Sequence, residues 1–336
     1  IVLMRAQQIE AALKEVREDA VRLRTRQGAP IASLEALHNE RRLEVAALLS
    51  EVHHMPSVAA ALGISQSAVS QAVARLEDAL GQPLFARTAR GMVPTDAGSR
   101  WVVRFERVLA ELRHIHADIA ALQGALEGTV TIGALPLART QLLPTAIAEV
   151  HAQHPKLRFR SLESPYEELT AGLLSGRIDF ILGALRPQHS QGLTTEAVFE
   201  DRISIIVRAE HPLARRKKLG LRDLDGYPWV LSRAGAPLRE ALDAVFTRQG
   251  LPLPQPLVET GDLALVRGLL LRGDMVTALS TYQLHYELEA GWLRALDLPM
   301  PDMARGIGIT TRMGARLSPG ADALLAAIRR HSQDWR

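Results

Sequence analysis

The residue pattern of the chain changes at Gly128, and this change indicates at least two folding units. From there to the C-terminus, short apolar runs rich in β-branched residues alternate with helical patterns. The predicted strands span 129–135, 157–163, 179–185, 202–208, 227–232, 275–280 and 306–312, and the predicted helices span 139–153, 165–175, 236–249, 262–272, 281–290 and 319–331. Such alternation predicts βαβ units around mainly parallel sheets. The pattern before Gly128 is mainly helical, which predicts a separate unit.

A tight helical hairpin is predicted between Met55 and Glu77. Two helices that cross steeply need a turn residue with a permissive backbone and a small residue where they touch. Gly63 supplies the turn, Ala59 the close contact, and Ser65 an N-cap for the second helix. The bland interpretation is an alanine-rich hairpin with a solvated polar face. The more specific one is a helix-turn-helix that reads DNA.

The polar face of the second helix favours the DNA interpretation. Gln can pair with adenine, and Arg can reach guanine or phosphate, so short polar side chains near a helix N-terminus suit the major groove. Residues 84–98 then predict two short strands around a turn, and arginines in such a wing can contact the phosphate backbone or the minor groove. The candidate DNA contacts are Ser65, Gln66, Ser67, Ser70, Gln71, Arg75, Arg87 and Arg90.

A long helix capped by Thr95 or Asp96 is predicted next, and its apolar residues form a heptad seam. They recur in alternating steps of four and three residues, which is typical of a two-stranded coiled coil. We therefore expect dimerisation through this seam, although a helix packed on its own domain is the alternative. The seam residues are Trp101, Phe105, Val108, Leu112, Ile115, Ile119 and Leu122.

Composition narrows the function classes. The chain has no cysteine, which excludes disulfides, thiolate metal sites and cysteine nucleophiles. Residues 1–127 contain equal numbers of basic and acidic residues, so the DNA interpretation depends on motif and not on charge. The pairs His114/His116 and His151/His154 lack clustered carboxylates, which favours solvated helix positions over a metal site. We predict no metal and no other cofactor.

The segment SVAAALGISQSAVSQAVARLEDALGQPLFARTARGMVPTDAG, residues 57–98, resembles the LysR-type transcriptional regulators. It departs from the family pattern at Ser67, where proline is more usual. The sequence from Gly128 onward is similar to the effector domain of the same family, and its matching segments occur in the same order as in the family. It most resembles the subgroup of regulators of galactose-binding-protein type. This resemblance implies a winged helix-turn-helix with a long linker helix, followed by a two-lobed α/β effector domain like that of periplasmic solute-binding proteins.

The resemblance also implies domain boundaries. We expect an N-terminal helical extension at 1–30, the winged helix-turn-helix at 31–93, the linker helix at 94–126 and the effector domain at 127–336. Lobe I would comprise 127–201 and 304–336, and lobe II 202–303. By position, the family's effector contacts correspond to Ala134, Leu135, Pro136, Ser164, Pro165, Gly183, Ala184, Ser232, Arg233, Thr260, Gly261, Leu279 and Ser280.

The expected function is a cytoplasmic, non-enzymatic transcription regulator that forms a homodimer or homotetramer. The resemblance implies promoter DNA, RNA polymerase and a small-molecule effector as partners. Ala134–Pro136 stands where the family often has Ser or Thr, which leaves a sugar as well as a small organic acid open as effector. A solute-binding protein without DNA function is one alternative. A metabolic enzyme is the other, and the chain lacks the glycine-rich and G-x-S-x-G fingerprints that would favour it.

Residues 1–27 form an amphipathic pattern that resembles a second linker helix, with Ile9, Leu13, Val16, Ala20 and Leu23 on one face. Some members of the family carry two helix-turn-helix domains in tandem. We therefore expect this helix to be the tail of an upstream DNA-binding unit. An extension that packs on the dimer is the competing interpretation.

Overall fold

The computed structural model describes residues 1–27, 35–186, 191–298, 300 and 303–333. The predicted stop of the first helix at 28–30 lies outside this range. The N-terminal part contains α1 (Val2–Gln27), a 3₁₀ turn (Glu35–His38), α2 (Glu40–Val52), α3 (Met55–Leu62), α4 (Gln66–Leu80), strands β1 (Phe85–Thr88) and β2 (Gly91–Pro94), and α5 (Asp96–Leu122). Its core joins all five helices around residues such as Leu49, Val69 and Leu76.

The helix-turn-helix forms at the predicted positions. Gly63 adopts a left-handed conformation with φ of 64° and ends α3. The Ser65 hydroxyl accepts a hydrogen bond from Ala68 N at 3.1 Å and thereby caps α4. Gly81, with φ of 70°, ends α4. The predictions of the Ser65 cap and of the turn at Gly63 are confirmed.

The wing is a two-stranded antiparallel ribbon in which Phe85 pairs with Pro94 and Thr88 with Gly91. Met92 N donates to His53 O at 2.8 Å, which fixes the ribbon to the corner between α2 and α3. Gly91 has φ of 99°, and a Cβ there would lie 2.2 Å from His53 O. Only glycine fits this approach, because any side chain would meet backbone.

The start of helix α5 is a second place where two segments of the chain come very close together. Thr95 Oγ1 accepts from Gly98 N at 3.0 Å, so Thr95 is the cap. Thr95 N also donates to Leu84 O at 2.9 Å, which draws the first turn of α5 against the chain that enters the wing. Gly98 lies so close to this chain that a Cβ would stand 2.0 Å from Leu84 O.

Helix α1 runs antiparallel to α5 and covers the first part of the predicted seam. Trp101, Phe105 and Val108 are buried within the same chain, in one core with Leu13 and Val16 of α1. This corrects the prediction that these three residues face a second chain. Heptad spacing identifies a face but not what covers it, and α1 offers the same kind of apolar surface as a partner helix.

The exposure of the remaining seam residues increases toward the C-terminal end of α5. Leu112 and Ile115 are half-buried, whereas Ile119 and Leu122 are 40% and 71% exposed. Contact with a second chain stays a prediction for this C-terminal part of α5.

The C-terminal part is an α/β fold in which the long strand β6 (Leu193–Arg208) runs through two lobes. Lobe I contains β3 (Gly128–Ala134), α6 (Leu142–Gln153), β4 (Leu157–Leu162), α7 (Tyr166–Ser175), β5 (Phe180–Ala184), the first part of β6, β11 (Ala304–Arg312) and α11 (Pro319–Ser332), with a 3₁₀ turn at Pro136–Arg139. Its sheet order is β6-β11-β5-β3-β4. β6 pairs with β11 through Arg202.

Lobe II begins where β6 changes partners. From Ile203 onward β6 pairs with β9 (Thr277–Ser280) and then with β10 (Leu293–Ala295). The lobe also contains β7 (Trp229–Leu231), α8 (Pro237–Arg248), β8 (Pro256–Glu259), α9 (Leu263–Leu270) and α10 (His285–Glu289), with 3₁₀ turns at Leu221–Leu224 and Thr281–Leu284. Strand β7 pairs in parallel with β8 and bridges to Val276 beside β9.

The prediction of mainly parallel sheets needs correction. β3 is parallel to β4 and β5, but every pairing of β6 and β11 with a named strand is antiparallel. These two strands carry the chain between the lobes in opposite directions, so they pair antiparallel. The sequence also missed β8, β10 and the first half of β6.

We expect Gly98→Ala to destabilise the N-terminal unit by about 1–3 kcal/mol, because the added methyl overlaps Leu84 O. This result opposes helix propensity, which by itself favours Ala over Gly by about 1 kcal/mol. Urea unfolding followed by circular dichroism measures the change. Ser99→Ala, at the next and exposed position, is the matched control. Equal stability of the two variants would contradict the prediction.

Candidate functional sites: the α4–wing surface and the inter-lobe cleft

All eight predicted DNA contacts are exposed on one unit. Ser65 is the cap of α4, and Gln66, Ser67, Ser70, Gln71 and Arg75 follow along this helix, whereas Arg87 and Arg90 lie in the wing. Two of these side chains already have local partners, since the hydroxyls of Ser65 and Ser67 are 2.8 Å apart. The glutamines therefore offer the more adaptable donors and acceptors at this helix end.

The wing is held to α4 by a residue that the sequence reading missed. Glu77 Oε1 accepts hydrogen bonds from Leu84 N at 2.7 Å and from Phe85 N at 3.2 Å. A carboxylate that binds two successive backbone amides fixes the start of β1 relative to α4. Glu77 lies near the end of the predicted recognition helix, which was the only hint in the sequence. No spacing rule predicts that its carboxylate binds the amides at the start of β1.

The second candidate site is a cleft of about 180 Å³ between the lobes. Lobe I contributes the loop after β3 and the end of β5, and lobe II contributes the ends of β7, β8 and β9 with the N-termini of α8 and α9. Ligands of open α/β sheets bind where strand ends and helix N-termini converge in this way. Seven predicted effector contacts line it, namely Leu135, Pro136, Ala184, Ser232, Thr260, Gly261 and Leu279.

A charged cluster closes one wall of the cleft. Arg305 Nε donates to Asp201 Oδ2 at 2.9 Å, and the Ser280 hydroxyl donates to Asp201 Oδ1 at 2.6 Å. Asp201 is fully buried, and this burial raises the pKa of its carboxyl group even though Arg305 and Ser280 favour the charged form. Arg305 also lines the cleft, and its bond to Asp201 uses one of five guanidinium N–H donors.

A second arginine lines the cleft from lobe I. Arg186 lies over the ring of Tyr166, with its guanidinium carbon 4.6 Å from the ring centroid. The remaining lining is mainly apolar, with Gln283 and Thr277 among the polar exceptions. The sequence analysis missed both arginines, because neither occupies a position that corresponds to a family effector contact.

The sequence comparisons agree with this architecture. Residues 123–333 match the LysR substrate binding domain, and residues 41–99 match the lysR family of bacterial regulatory helix-turn-helix proteins. The chain belongs to the LysR family of transcription regulators. Within this family it is 44% identical to the HTH-type transcriptional regulator GalR of Pseudomonas putida over 329 residues, which cover 98% of this chain and 81% of GalR. The regulator GbpR of Rhizobium radiobacter is 27% identical over 241 residues, which cover 71% of this chain and 80% of GbpR.

Solved structures of LysR-family proteins share the fold. A full-length OxyR variant from Pseudomonas aeruginosa aligns with a TM-score of 0.67 at 22% identity, covering 87% of this chain and 94% of OxyR. Full-length CbnR in complex with its target DNA aligns with a TM-score of 0.61 at 19% identity, covering 87% of this chain and 99% of CbnR. The predictions of a helix-turn-helix and a two-lobed effector domain are confirmed.

Six predicted effector contacts of this LysR-family protein do not line the cleft. Ala134 is buried in the core of lobe I, and Ser280 is buried against Asp201. Gly183 has φ of 151°, and a Cβ there would lie 2.4 Å from Leu135 Cβ, so it permits the first loop to approach β5. Ser164 lines a different and larger cavity of about 1040 Å³ beside α5, and Pro165 and Arg233 line neither cavity.

The histidine pairs have protein partners or solvent rather than a shared ligand set. His114 contacts Asp179, while His116 and His151 are exposed. Within the described ranges, no group of three or more metal-ligating side chains occurs. No described helix is both long and apolar enough to span a bilayer.

We expect Arg305→Met to destabilise the protein by about 3 kcal/mol at pH 7, because it leaves the Asp201 carboxylate buried without its cation. Loss of Arg305 removes a group that lowers the pKa of Asp201, so the raised pKa moves further up. The protonated carboxyl tolerates burial, so the destabilisation should be small near pH 4, grow as pH rises toward the new pKa and level off above it.

Thermal unfolding of the variant across this pH range tests the sign. The double variant Asp201→Asn/Arg305→Met removes both charges and should recover much of the loss at pH 7. A pH-independent defect, or no recovery in the double variant, would mean that the ion pair is not the cause.

Proposed function

We propose that this LysR-family protein reads promoter DNA through α4 and the β1–β2 wing, and that a small organic acid in the inter-lobe cleft controls it. The observation that carries the proposal is the presence, in one chain, of an exposed polar helix N-terminus and of a cleft lined by two arginines. A solute-binding protein without DNA function would not need the exposed polar helix N-terminus. We also infer that the chain is not an enzyme.

The spacing along α4 supports direct reading of base edges. Gln71 follows Ser67 by four residues and Arg75 follows Gln71 by four, so these side chains lie on one face of the helix. Gln66 stands at the first helical position, where the helix would enter the major groove. Its amide can pair with adenine in a bidentate manner.

The wing supplies the phosphate contacts. Arg87 and Arg90 are both exposed, and the bond between Met92 and His53 fixes the ribbon that carries them. Arginines held in this way neutralise backbone charge without reading sequence. We therefore assign affinity to the wing and sequence preference to α4.

The lining of the cleft favours a small organic acid over a sugar. A sugar needs many hydrogen-bonding groups, whereas this lining is mainly apolar with Arg186 and Arg305 as its cations. Guanidinium groups bind carboxylates in a fixed fork geometry. Several relatives are named hydrogen peroxide-inducible genes activators. A thiol-based peroxide response is not available here, because the chain has no cysteine.

The regulatory output follows from the family. We infer that the protein acts in the cytoplasm as a dimer or tetramer, and that effector binding changes how the subunits present two wings to DNA and to RNA polymerase. Such control needs an effector that binds one arrangement of the subunits more tightly than another.

The double variant Gln66→Ala/Gln71→Ala should weaken binding to the promoter fragment beside the gene by about 1–3 kcal/mol for each lost base contact. Binding to an unrelated duplex should change little, because the wing arginines remain. Fluorescence anisotropy with both duplexes measures the two affinities. Gln153→Ala, exposed at the end of α6, is the matched control. An unchanged preference for the promoter would contradict the assignment to α4.

Thr260→Trp should fill the cleft and abolish effector binding while leaving promoter affinity intact. The measurement is isothermal titration against a panel of organic acids and sugars chosen from the products of neighbouring genes. Thr247→Trp places the same side chain on an exposed position of α8 and serves as the control. If the protein binds a sugar but no organic acid, the proposed effector class is wrong. If Thr260→Trp binds the effector normally, the effector does not bind in the cleft.

A further inference from the structure

Arg5 is fully buried, although it lies at the start of α1. Its Nε donates to Asp118 Oδ2 at 2.8 Å, and its Nη1 donates to Glu111 Oε2 at 3.0 Å. Both carboxylates belong to α5 and are themselves buried. Burial by itself lowers the pKa of the guanidinium, but the bonds to Asp118 and Glu111 raise it, so Arg5 keeps its charge.

The same side chain reaches the effector unit. Nη1 donates to Arg316 O at 2.7 Å, and Nη2 donates to Leu317 O at 2.8 Å. These carbonyl groups immediately precede Ser318, which caps α11 of lobe I. One guanidinium therefore joins α1, α5 and lobe I.

His114 continues this contact into the sheet of lobe I. Its Nδ1 lies 3.1 Å from Arg5 Nη1, and its Nε2 lies 3.1 Å from Asp179 Oδ1. A guanidinium cannot accept a hydrogen bond, and Nη1 has two N–H groups for three acceptors, so His114 Nδ1 shares one of them with Glu111 or Arg316, and Nε2–H donates to Asp179. Asp179 Oδ2 accepts from Thr131 N of β3 at 2.7 Å. The contacts thus run without a break from α1 to the central part of the sheet.

The rest of α1 fixes this helix to the DNA-binding unit. Asp19 Oδ2 accepts from Trp101 Nε1 at 2.8 Å, and Glu15 Oε2 accepts from Arg104 Nε at 2.8 Å. One end of α1 is therefore bound next to the winged unit and the other end is bound to lobe I. Both ends of α1 lie along α5, so α1 connects the winged unit to lobe I alongside this helix, as a brace would.

We propose that α1 is an intramolecular brace, in which Arg5 is the positioning residue that sets the orientation of lobe I relative to the winged helix-turn-helix. Isolated ion pairs at a surface specify little. A buried guanidinium that joins α1, α5 and lobe I is different, because a rotation of lobe I would move the Arg316 and Leu317 carbonyl groups away from Arg5 and leave N–H donors unpaired in the interior. The brace does not depend on which effector or which promoter the protein binds.

The absence of cysteine allows a direct measurement. Ala61 on α3 and Ala152 on α6 are exposed, so Ala61→Cys/Ala152→Cys accepts two spin labels without competing thiols. Double electron–electron resonance on labelled full-length protein, diluted in unlabelled protein, gives the distance between the winged unit and lobe I within one chain. Arg5→Met removes the charge at similar volume. Arg22→Met, on an exposed part of α1, is the matched control.

The brace predicts one narrow distance distribution for the parent and for Arg22→Met. Arg5→Met should broaden or shift that distribution while the helical circular dichroism signal is kept. An unchanged distribution in folded Arg5→Met would overturn the proposal. Should Arg5→Met fail to fold, Asp118→Asn tests the same joint, because it weakens only one of the partners. Failure of both variants to fold would show that the cluster is needed for folding itself, and would also overturn the proposal.

Discussion

The packing of helix α5 is the constraint on which the rest of the structure depends. Its first half is covered by the winged unit and by α1, with Trp101 and Phe105 fully buried. Its second half lies against lobe I, where Gly176 approaches so closely that a Cβ would stand 2.9 Å from Ala110 Cβ. A single helix therefore belongs to both halves of the molecule. Since a continuous helix is stiff over this length, the direction of α5 links the position of the wing to that of the effector unit.

Both candidate sites depend on places where another segment approaches the backbone of a glycine at close range. Gly91 lets the wing approach His53, Gly98 lets α5 approach Leu84, and Gly183 lets the first loop of the cleft approach β5. At each position a Cβ would lie closer than van der Waals contact allows. These glycines let the neighbouring segments hold the exposed side chains of both sites in fixed positions.

The N-terminal helix adds a contact that the family pattern does not include, since the helix-turn-helix match begins at residue 41. Its resemblance to a linker helix has a structural counterpart, because α1 lies antiparallel on the seam of α5. In this protein the seam is partly covered from within the chain. The apolar seam residues of α5 that stay exposed lie in its C-terminal part, at Ile119 and Leu122.

The sequence by itself determined the local features of the N-terminal unit. The caps at Ser65 and Thr95, the turn at Gly63 and the ribbon around the wing depend on interactions within a few residues, so spacing predicts them. The amphipathic face of α1 and the heptad face of α5 follow from periodicity for the same reason. Only the tertiary structure decided that these two faces cover each other. It also decided that Arg186 and Arg305 meet in one cleft, that β6 serves both lobes and that Ser164 does not reach the cleft. Each of these outcomes depends on contacts between segments far apart in the chain, and residue spacing carries no information about which apolar face or which strand end a segment will meet.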